Sequence, residues 1–440
     1  MTSQNVANMV RCYGSVAHLA VLMAMCAGVA NSSFLQRRQN PRASYRQALH
    51  NFQNVQYYAD FEIGGQQIAG IFDTGSFELL VRSSRCAHCA HPTAPYDHLK
   101  SRSYAKNGTV TKHVFGSGPC ISMMGYETVS VGNLKSSKQA FWEIIDHRIG
   151  VLDTAKFAAI VGIGPNFAFG NKEKTLLMSY GVEEFSVCLK KESGSEGFLN
   201  WGPEAKQMAP EHRATAKVIG KHHWVTRLSN VKFTQPENSK KAIQVPCSAG
   251  SQGCAAIIDS GTSLIAAPGS ALMQLSEQIP PIKEDCSNLH ELPPLNFVID
   301  GHDFVLPPQA YVMRVTGAVM EANDVWDILF FKPKMRKLNM CMPAFMQIDM
   351  MSRHGPIWIL GMPFFRYFHT TFDRKSKEMH FTVAGPECES LPFNTSRTSA
   401  FIAERTVTHA PLDVDVDAIV PPTLSGMMDF PFANAGELDL

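Results

Sequence analysis

The sequence predicts a mostly β protein of two similar lobes that meet at an interface, and three observations support this prediction. The segment IFDTGS at residues 71–76 has a counterpart, IIDSGTS, at residues 257–263. Each copy is followed, much later, by two apolar residues and a glycine, IVG at residues 160–162 and ILG at residues 359–361. Short strand-like runs separated by Gly, Asn and Ser account for most of the remaining sequence.

The two matched segments place Asp73 and Asp259 in the same local setting. The apolar pair predicts the end of a buried strand, and the glycine allows a tight turn directly after it. A single Asp-Gly turn is usually a surface turn without chemistry. Here, Gly162 follows Asp73 by 89 positions and Gly361 follows Asp259 by 102. This repeated plan indicates an internal duplication that brings two carboxylates face to face.

These motifs resemble those of the pepsin family of bilobal aspartic proteases. Further similar segments are residues 125–132 (GYETVSVG), residues 185–189 (FSVCL) and residues 372–374 (FDR), and the likeness runs from about Tyr57 to about Val383. The resemblance implies a bilobal pepsin-like fold with two pseudo-symmetric β-barrel-like lobes. It also implies an aspartic endopeptidase that acts as a monomer on polypeptide substrates, between large apolar residues, without a metal or another cofactor.

The paired carboxylates have a chemical use that follows from their proximity. Two carboxyl groups within hydrogen-bonding range cannot both ionise easily, so Asp73 and Asp259 would share one proton in an acidic pH window. One would take a proton from water while the other polarises the scissile carbonyl. The resemblance implies that the neighbouring turn residues support this dyad, and they are Thr74, Gly75, Ser76, Ser260, Gly261 and Thr262. The alternative interpretation is that these hydroxyls are ordinary turn residues.

The predicted substrate-binding flap departs from the family pattern. Phe115, Gly116 and Ser117 align with the tip of the hairpin that closes over substrate, where the family usually has Tyr in place of Phe115. The family also usually has Trp at the position of Leu80, and that Trp bonds the flap Tyr. Losing both partners together avoids a lone buried polar group. We therefore expect Phe115 to cover an apolar side chain of the substrate, on a flap that is less tightly tethered. Met362 also replaces a common Asp.

The cleft walls of the family are apolar, and Phe77, Phe115, Ile160 and Ile163 are consistent with that expectation. An alternative function is a catalytically silent peptide-binding or inhibitor protein on the same scaffold. Such proteins commonly lose a catalytic Asp or its Gly, whereas this chain keeps both sets. A zinc hydrolase is disfavoured because the chain has no metal-protease signature such as His-Glu-x-x-His.

Composition and the amino terminus predict where the protein resides. The net charge of +1 argues against a nucleic-acid binder. Residues 1–30 have the pattern of a secretory signal peptide, with an uncleaved anchor as the alternative. No later run reaches the roughly 20 apolar residues of a spanning helix, so no stable membrane anchor is expected. We predict a protein of the secretory pathway, either secreted or in an acidic vacuolar or lysosome-like compartment.

The expected domain order follows the chain. Residues 31–50 are basic and would be a short propeptide-like segment of a zymogen, or a solvated leader. The N-terminal lobe would span residues 51–194 and the C-terminal lobe residues 195–390. Residues 391–440 include several Pro and Ser, and the acidic residues beyond Arg405 are not balanced by any Lys or Arg, which predicts a disordered acidic tail.

Within the lobes, residues 57–72 predict a hairpin that delivers Asp73. Helical periodicity is limited to residues 174–180 and 270–279. The Met-rich stretch from 335 to 362 predicts core packing, with a flexible subsite wall as the alternative.

The chain has 11 cysteines, of which Cys12 and Cys26 lie in the predicted signal peptide. The resemblance implies disulfides Cys247–Cys254 and Cys286–Cys341. Cys86 and Cys89 are expected to form a disulfide, although a zinc site with His88 and His91, or a bond to Cys120, are alternatives. Cys188 lies in an apolar strand pattern and is expected to be a buried free thiol, whereas Cys388 has no assigned partner. Three glycosylation sequons begin at Asn31, Asn107 and Asn394, and Asn107 is predicted to lie in a loop.

Overall fold

The structure of the chain, a computed structural model, describes residues 45–90, 92–167, 173–203, 210–233, 253–321, 334–393, 410–415 and 418. The predicted signal peptide, residues 31–44 and most of the predicted tail lie outside these residues. The first half contains β1 (Tyr45–Phe52), β2 (Gln56–Ile63), β3 (Gln66–Asp73), β4 (Leu79–Arg82), β5 (Ala105–Phe115), β6 (Gly118–Val131), β7 (Leu134–His147), β8 (Ala159–Gly162), helix α1 (Leu176–Tyr180), β9 (Glu184–Leu189) and β10 (Gly197–Trp201).

The second half repeats this strand-rich pattern. It contains β11 (Ala214–Lys217), β12 (Val225–Phe233), β13 (Cys254–Ile258), β14 (Ile265–Ala267), α2 (Gly269–Ser276), β15 (Leu295–Ile299), β16 (His302–Leu306), α3 (Pro308–Tyr311), β17 (Val312–Glu321), β18 (Lys334–Pro343), β19 (Phe345–Gln347), β20 (Met351–Ser352), β21 (Gly355–Leu360), α4 (Met362–Phe365), β22 (Phe368–Asp373), β23 (Glu378–Ala384), β24 (Ser390–Leu391) and β25 (Leu412–Asp415). Short 3-10 segments lie at His98–Lys100, Gly150–Asp153, Pro210–His212 and Leu289–Glu291.

The mostly β prediction is confirmed. One large sheet runs in the order β5-β6-β7-β4-β8-β3-β2-β1-β10-β9-β22-β23-β11, with β24 beside β23. A second sheet has the order β16-β15-β12-β13-β21-β14-β19, and a third has the order β18-β17-β25. Strands from both halves of the sequence therefore share the large sheet. The predicted boundary between residues 194 and 195 falls between β9 and β10, which are antiparallel neighbours.

The hairpin of β2 and β3 brings Asp73 to its position, as the sequence predicts. Ile63 pairs with Gln66 across a two-residue loop. Gly64 and Gly65 both have positive φ, at 58° and 76°. Such a loop matches the twist of the flanking strands, and glycine adopts it without steric cost. The two helices predicted from periodicity are also present, as α1 and α2.

Aromatic side chains fill the core beneath the point where the two halves meet. Phe72, the residue before Asp73, packs edge-on against Trp201 with ring centroids 5.9 Å apart. Phe185 stacks on Phe372 at 4.8 Å, and Trp224 lies 5.0 Å from Phe372. Burial of large aromatic rings stabilises the fold in this region. The two Asp-bearing turns therefore lie against a tightly packed aromatic core.

Two segments predicted to lie outside the lobes belong to the sheets. Residues 45–50, predicted as the end of a propeptide-like segment, form part of β1, which pairs with both β10 and β2. Within the predicted disordered tail, β25 pairs in parallel with β17. Asp413 O also accepts a hydrogen bond of 2.6 Å from Asn54 Nδ2. The prediction of disorder is therefore wrong for Leu412–Asp415.

The cysteine pattern differs from the prediction at two positions. Cys86–Cys89 and Cys286–Cys341 are disulfides in the structure. Cys188 is bonded to Cys388, so the expectation of a free Cys188 thiol is wrong. Cys120 is a buried free cysteine and not a partner of Cys86 or Cys89. Cys254 is disulfide-bonded, and its predicted partner Cys247 lies outside the described residues.

The remaining surface predictions have mixed outcomes. Asn107 lies in β5 and not in a loop, at an exposed irregularity of its pairing with β6. Asn31 and Asn394 lie outside the described residues. In the part of the chain that the structure describes, no helix is long and apolar enough to cross a membrane.

Candidate active site

Asp73 and Asp259 occupy equivalent positions in the two halves. Asp73 is the last residue of β3, which pairs in parallel with β8. Asp259 follows β13 directly, and β13 pairs in parallel with β21. In each half a further strand, β4 or β14, lies antiparallel to the other side of β8 or β21. The internal duplication inferred from the sequence thus has the same strand arrangement twice.

Each carboxylate accepts the same pair of hydrogen bonds. Asp73 Oδ1 accepts one of 2.8 Å from Gly75 N, and its Oδ2 accepts one of 2.5 Å from Ser76 Oγ. Asp259 Oδ1 accepts one of 2.7 Å from Gly261 N, and its Oδ2 accepts one of 2.5 Å from Thr262 Oγ1. These four bonds fix the orientation of both carboxylates. They leave little freedom for either side chain to turn away.

The second residue of each turn bonds across to the opposite half. Thr74 Oγ1 donates to Ile258 O at 2.8 Å and accepts from Ser260 N at 2.9 Å. Ser260 Oγ donates to Phe72 O at 2.6 Å and accepts from Thr74 N at 3.1 Å. The exchange is reciprocal, so each hydroxyl ties its own turn to the strand that carries the other Asp. The alternative of ordinary turn hydroxyls does not describe these contacts.

The third residue of each turn allows the close approach of the two carboxylates. A Cβ atom on Gly75 would lie 2.7 Å from both carboxylate oxygens of Asp259. A Cβ atom on Gly261 would lie 2.7 Å from Asp73 Cγ. Real Cβ atoms do not come so close to other atoms, so both positions require glycine. Each Asp therefore lies against the turn of its partner.

The glycines that end β8 and follow β21 pack against the same turns. A Cβ atom on Gly162 would lie 2.4 to 2.6 Å from the backbone of Phe77 and Glu78, so any residue with a side chain would clash at this position. Gly361 abuts the carbonyl oxygens of Thr262 and Leu264. Met362, which stands where the family commonly has Asp, is buried. In each half, the glycine of the apolar-apolar-Gly motif thus permits the end of its strand, β8 or β21, to pack directly against the Asp turn.

The electrostatic environment of Asp73 differs from that of an ordinary carboxylate. Asp73 and Asp259 are 8% and 7% exposed. Burial, followed by the charge of Asp259 and a hydrogen bond with it, raises the pKa of Asp73 well above its ordinary value of 3.8. The hydrogen bonds from Ser76 and Gly75 act in the opposite direction. A raised pKa means that Asp73 keeps its proton at a pH where an exposed Asp would lose it.

The predicted flap is the hairpin of β5 and β6. Phe115 pairs with Gly118, and Gly116 and Ser117 form its exposed tip. Phe115 packs against an apolar cluster that contains Leu80, Cys120 and Ile160. Phe115 and Leu80 therefore belong to one apolar cluster at the two positions where the family has a polar pair.

The residues predicted to line the cleft differ in how far they are buried. Phe77 is half-buried and lies beside His222, with ring centroids 5.3 Å apart. Ile163 is fully buried in the main core, and Ile160 is 6% exposed in the cluster beneath the flap. The expectation that Ile163 lines the cleft is therefore wrong, because its side chain is inside the lobe.

Sequence reasoning missed a histidine at the dyad turn. His223 Nδ1 donates a hydrogen bond of 2.6 Å to Gly75 O, since a carbonyl oxygen can only accept. Burial lowers the pKa of His223, which favours the neutral ring in this position. The signal in the sequence was weak, because His223 and Trp224 stand before β12 without any motif around them.

No cluster of three or more His, Cys, Asp or Glu side chains suited to a metal ion occurs within the described ranges. Because Cys86 and Cys89 are joined to each other, they are not free thiolates for zinc. His91 lies outside the described residues.

The sequence is similar to those of known proteins. A family model described as "Eukaryotic aspartyl protease" matches residues 56–384. The chain is 27% identical over 378 residues to cathepsin D of Rattus norvegicus, covering 80% of this chain and 86% of that protein. It is 29% identical over 369 residues to cathepsin E of Rattus norvegicus, covering 77% and 82%. It is 26% identical over 383 residues to renin of Canis lupus familiaris, covering 81% and 86%.

Proposed function

Because the chain belongs to the eukaryotic aspartyl protease family, it is an aspartic endopeptidase, and we propose that Asp73 and Asp259 are its catalytic dyad. The observation that carries this proposal is the reciprocal approach of the two turns, in which each glycine lies against the opposite carboxylate. Two buried carboxyl groups in such contact share one proton, and aspartic proteases are the standard example of that behaviour.

Because burial and the charge of Asp259 raise the pKa of Asp73, we place the shared proton on Asp73 in the proposed mechanism. Asp259 takes a proton from a water molecule as the water oxygen bonds to the carbonyl carbon of the substrate. Asp73 gives its proton to the carbonyl oxygen, which produces a neutral gem-diol.

Collapse of the gem-diol breaks the peptide bond and restores the dyad. The amine nitrogen takes the proton from Asp259 as the C–N bond breaks. Asp73 recovers a proton from one hydroxyl of the gem-diol, which becomes the new carboxylic acid. The enzyme needs no covalent intermediate, because both proton transfers use carboxyl groups that the turns already hold in place.

We propose that the preferred substrate has large apolar residues on both sides of the scissile bond. Phe77 follows the Asp73 turn and Phe115 lies at the end of the flap strand, and both aromatic side chains are only partly buried. Apolar side chains of a substrate gain free energy when such rings cover them. One chain supplies both halves of the dyad, so a monomer is sufficient for activity.

The proposed cellular location is the secretory pathway, ending outside the cell or in an acidic lysosome-like compartment. Disulfides persist in oxidising compartments, and the described residues include three complete disulfides. The shared proton of the dyad suits an acidic compartment. We also propose that the basic segment predicted at residues 31–50 acts as a propeptide up to the start of β1, and that its removal converts a zymogen into the mature enzyme.

The test is cleavage of a quenched peptide with apolar residues around the scissile bond, from strongly acidic to neutral pH. We expect cleavage in the acidic range that is lost in both Asp73→Asn and Asp259→Asn. Asp60→Asn on an exposed position of β2 is the matched control and should retain activity. Correctly folded, processed protein that cleaves nothing, or a dyad variant that remains active, would contradict the proposal.

A further inference from the structure

A carboxylate beside the dyad turn also contacts the flap. Glu78 lies between the Asp73 turn and β4. Its Oε2 is 3.2 Å from His113 Nδ1 on the flap strand β5. Its Oε1 accepts a hydrogen bond of 2.8 Å from Trp142 Nε1 on β7. One side chain therefore joins three segments that are distant in the sequence.

His113 faces inward from the flap. Side chains alternate between the two faces of a strand, and Lys112 and Val114 are exposed while His113 and Phe115 are partly buried. The His113 ring packs edge-on against Trp142, with centroids 4.9 Å apart and ring planes at 70°. The side chain of His113 is only 11% exposed. The contact with Glu78 is therefore shielded from water on the His113 side, whereas the Glu78 side chain is 34% exposed.

Glu78 is held in place by the backbone that supports the dyad. Gly162 N donates a hydrogen bond of 2.9 Å to Glu78 O. The next residue, Ile163, donates one of 2.8 Å to Asp73 O. Asp73 and Glu78 are thus bonded to adjacent residues of the same segment. A flap that is attached to Glu78 is fixed relative to the dyad.

We propose that Glu78 is a positioning residue that anchors the flap over the dyad through His113 and Trp142, an inference that rests on the proposed function. The anchor ties the hairpin two residues before Phe115, in a chain that lacks the usual flap Tyr and its Trp partner. The expectation of a less tightly tethered flap overlooked this polar contact. The anchor reduces the flexibility that the flap must lose when a peptide binds.

The kinetic test compares Glu78→Ala with Glu192→Ala, a matched control on the turn between β9 and β10. Flap ordering contributes equally to substrate and transition-state binding, so its loss should change KM and not kcat. We expect KM to rise about tenfold, the effect of one lost hydrogen bond, with kcat within about twofold of wild type. Glu78→Gln keeps an oxygen for Trp142 and places an amide toward His113, so it should recover part of the affinity. An unchanged KM in Glu78→Ala, or a loss confined to kcat, would overturn the inference.

Hydrogen exchange of the free protein separates this inference from the proposed function, because it requires no catalysis. In Glu78→Ala, the amides of residues 112–118 should exchange faster, while those of β2 and β3 keep their rates. Equal flap exchange in the variant and wild type would overturn the anchor even in an active enzyme. A wild type that cleaves nothing would contradict the proposed function and leave the exchange test decisive.

A second variant covers the case in which Glu78→Ala does not fold. Trp142→Phe removes the Nε1 donor while it keeps an aromatic ring beside His113. Both measurements should then change in the same direction as in Glu78→Ala, by a smaller amount. Unchanged KM and unchanged flap exchange in this variant would overturn the anchor.

Discussion

The hydroxyl of Thr74 tests whether the cross-lobe hydrogen bonds hold the dyad in register. Thr74 is fully buried, donates to Ile258 O and accepts from Ser260 N. Thr74→Val keeps the side-chain volume and removes one partner from each of these backbone groups. A buried polar group without a partner costs about 1–3 kcal/mol, so the free energy of unfolding should fall by about 2–6 kcal/mol. Because the two Asp turns lose their mutual alignment, kcat should also fall at least about tenfold.

The assay is urea denaturation at neutral pH, which limits self-digestion, combined with kcat on the quenched peptide in the acidic range. The matched control is Thr226→Val. Thr226 is equally buried, but its hydroxyl has no hydrogen-bond partner among the described residues. Replacing an unpartnered hydroxyl with a methyl group should leave stability unchanged or raise it. Thr74→Ser, which retains the hydroxyl, should keep most of kcat. Equal losses of stability in Thr74→Val and Thr226→Val would refute the reasoning.

Three further predictions follow from other contacts. Gly75→Ala places a Cβ atom 2.7 Å from the oxygens of Asp259. We therefore expect kcat to fall at least about a hundredfold. A variant with wild-type activity would contradict the close packing of the two turns. Because the folded-state pKa of Asp73 is raised, the free energy of unfolding of wild type relative to Asp73→Asn should be highest below pH 3.8 and should decline as pH rises. Urea denaturation of both proteins at several pH values checks this. A stability difference that is constant, or that grows as pH rises, would contradict it. The Cys188–Cys388 disulfide spans 200 positions, so the double variant Cys188→Ala/Cys388→Ala should lose about 2–4 kcal/mol by urea denaturation, whereas a loss below about 1 kcal/mol would show that other contacts already restrict this loop.

The candidate site could be predicted from the sequence because its parts are local. A buried strand followed by Asp, a hydroxyl residue and Gly specifies a turn that holds a carboxylate, and the second copy indicates its partner. The hydrogen bonds to Asp73 come from Gly75 and Ser76, two and three residues away. The β2–β3 hairpin likewise depends on the adjacent pair Gly64-Gly65.

Only the tertiary structure decided which distant segments become neighbours. Cys188 was predicted to be free because its own strand pattern is apolar, but the sheet brings it to Cys388. The expectation for Leu412–Asp415 relied on tail composition, and pairing with β17 overrides composition by satisfying its backbone groups. The contact of Glu78 with His113 and Trp142 joins a turn to two strands whose register no local pattern specifies. The sequence alone thus determined the two Asp turns, because their hydrogen bonds are local, whereas the anchoring of the flap depends on long-range packing.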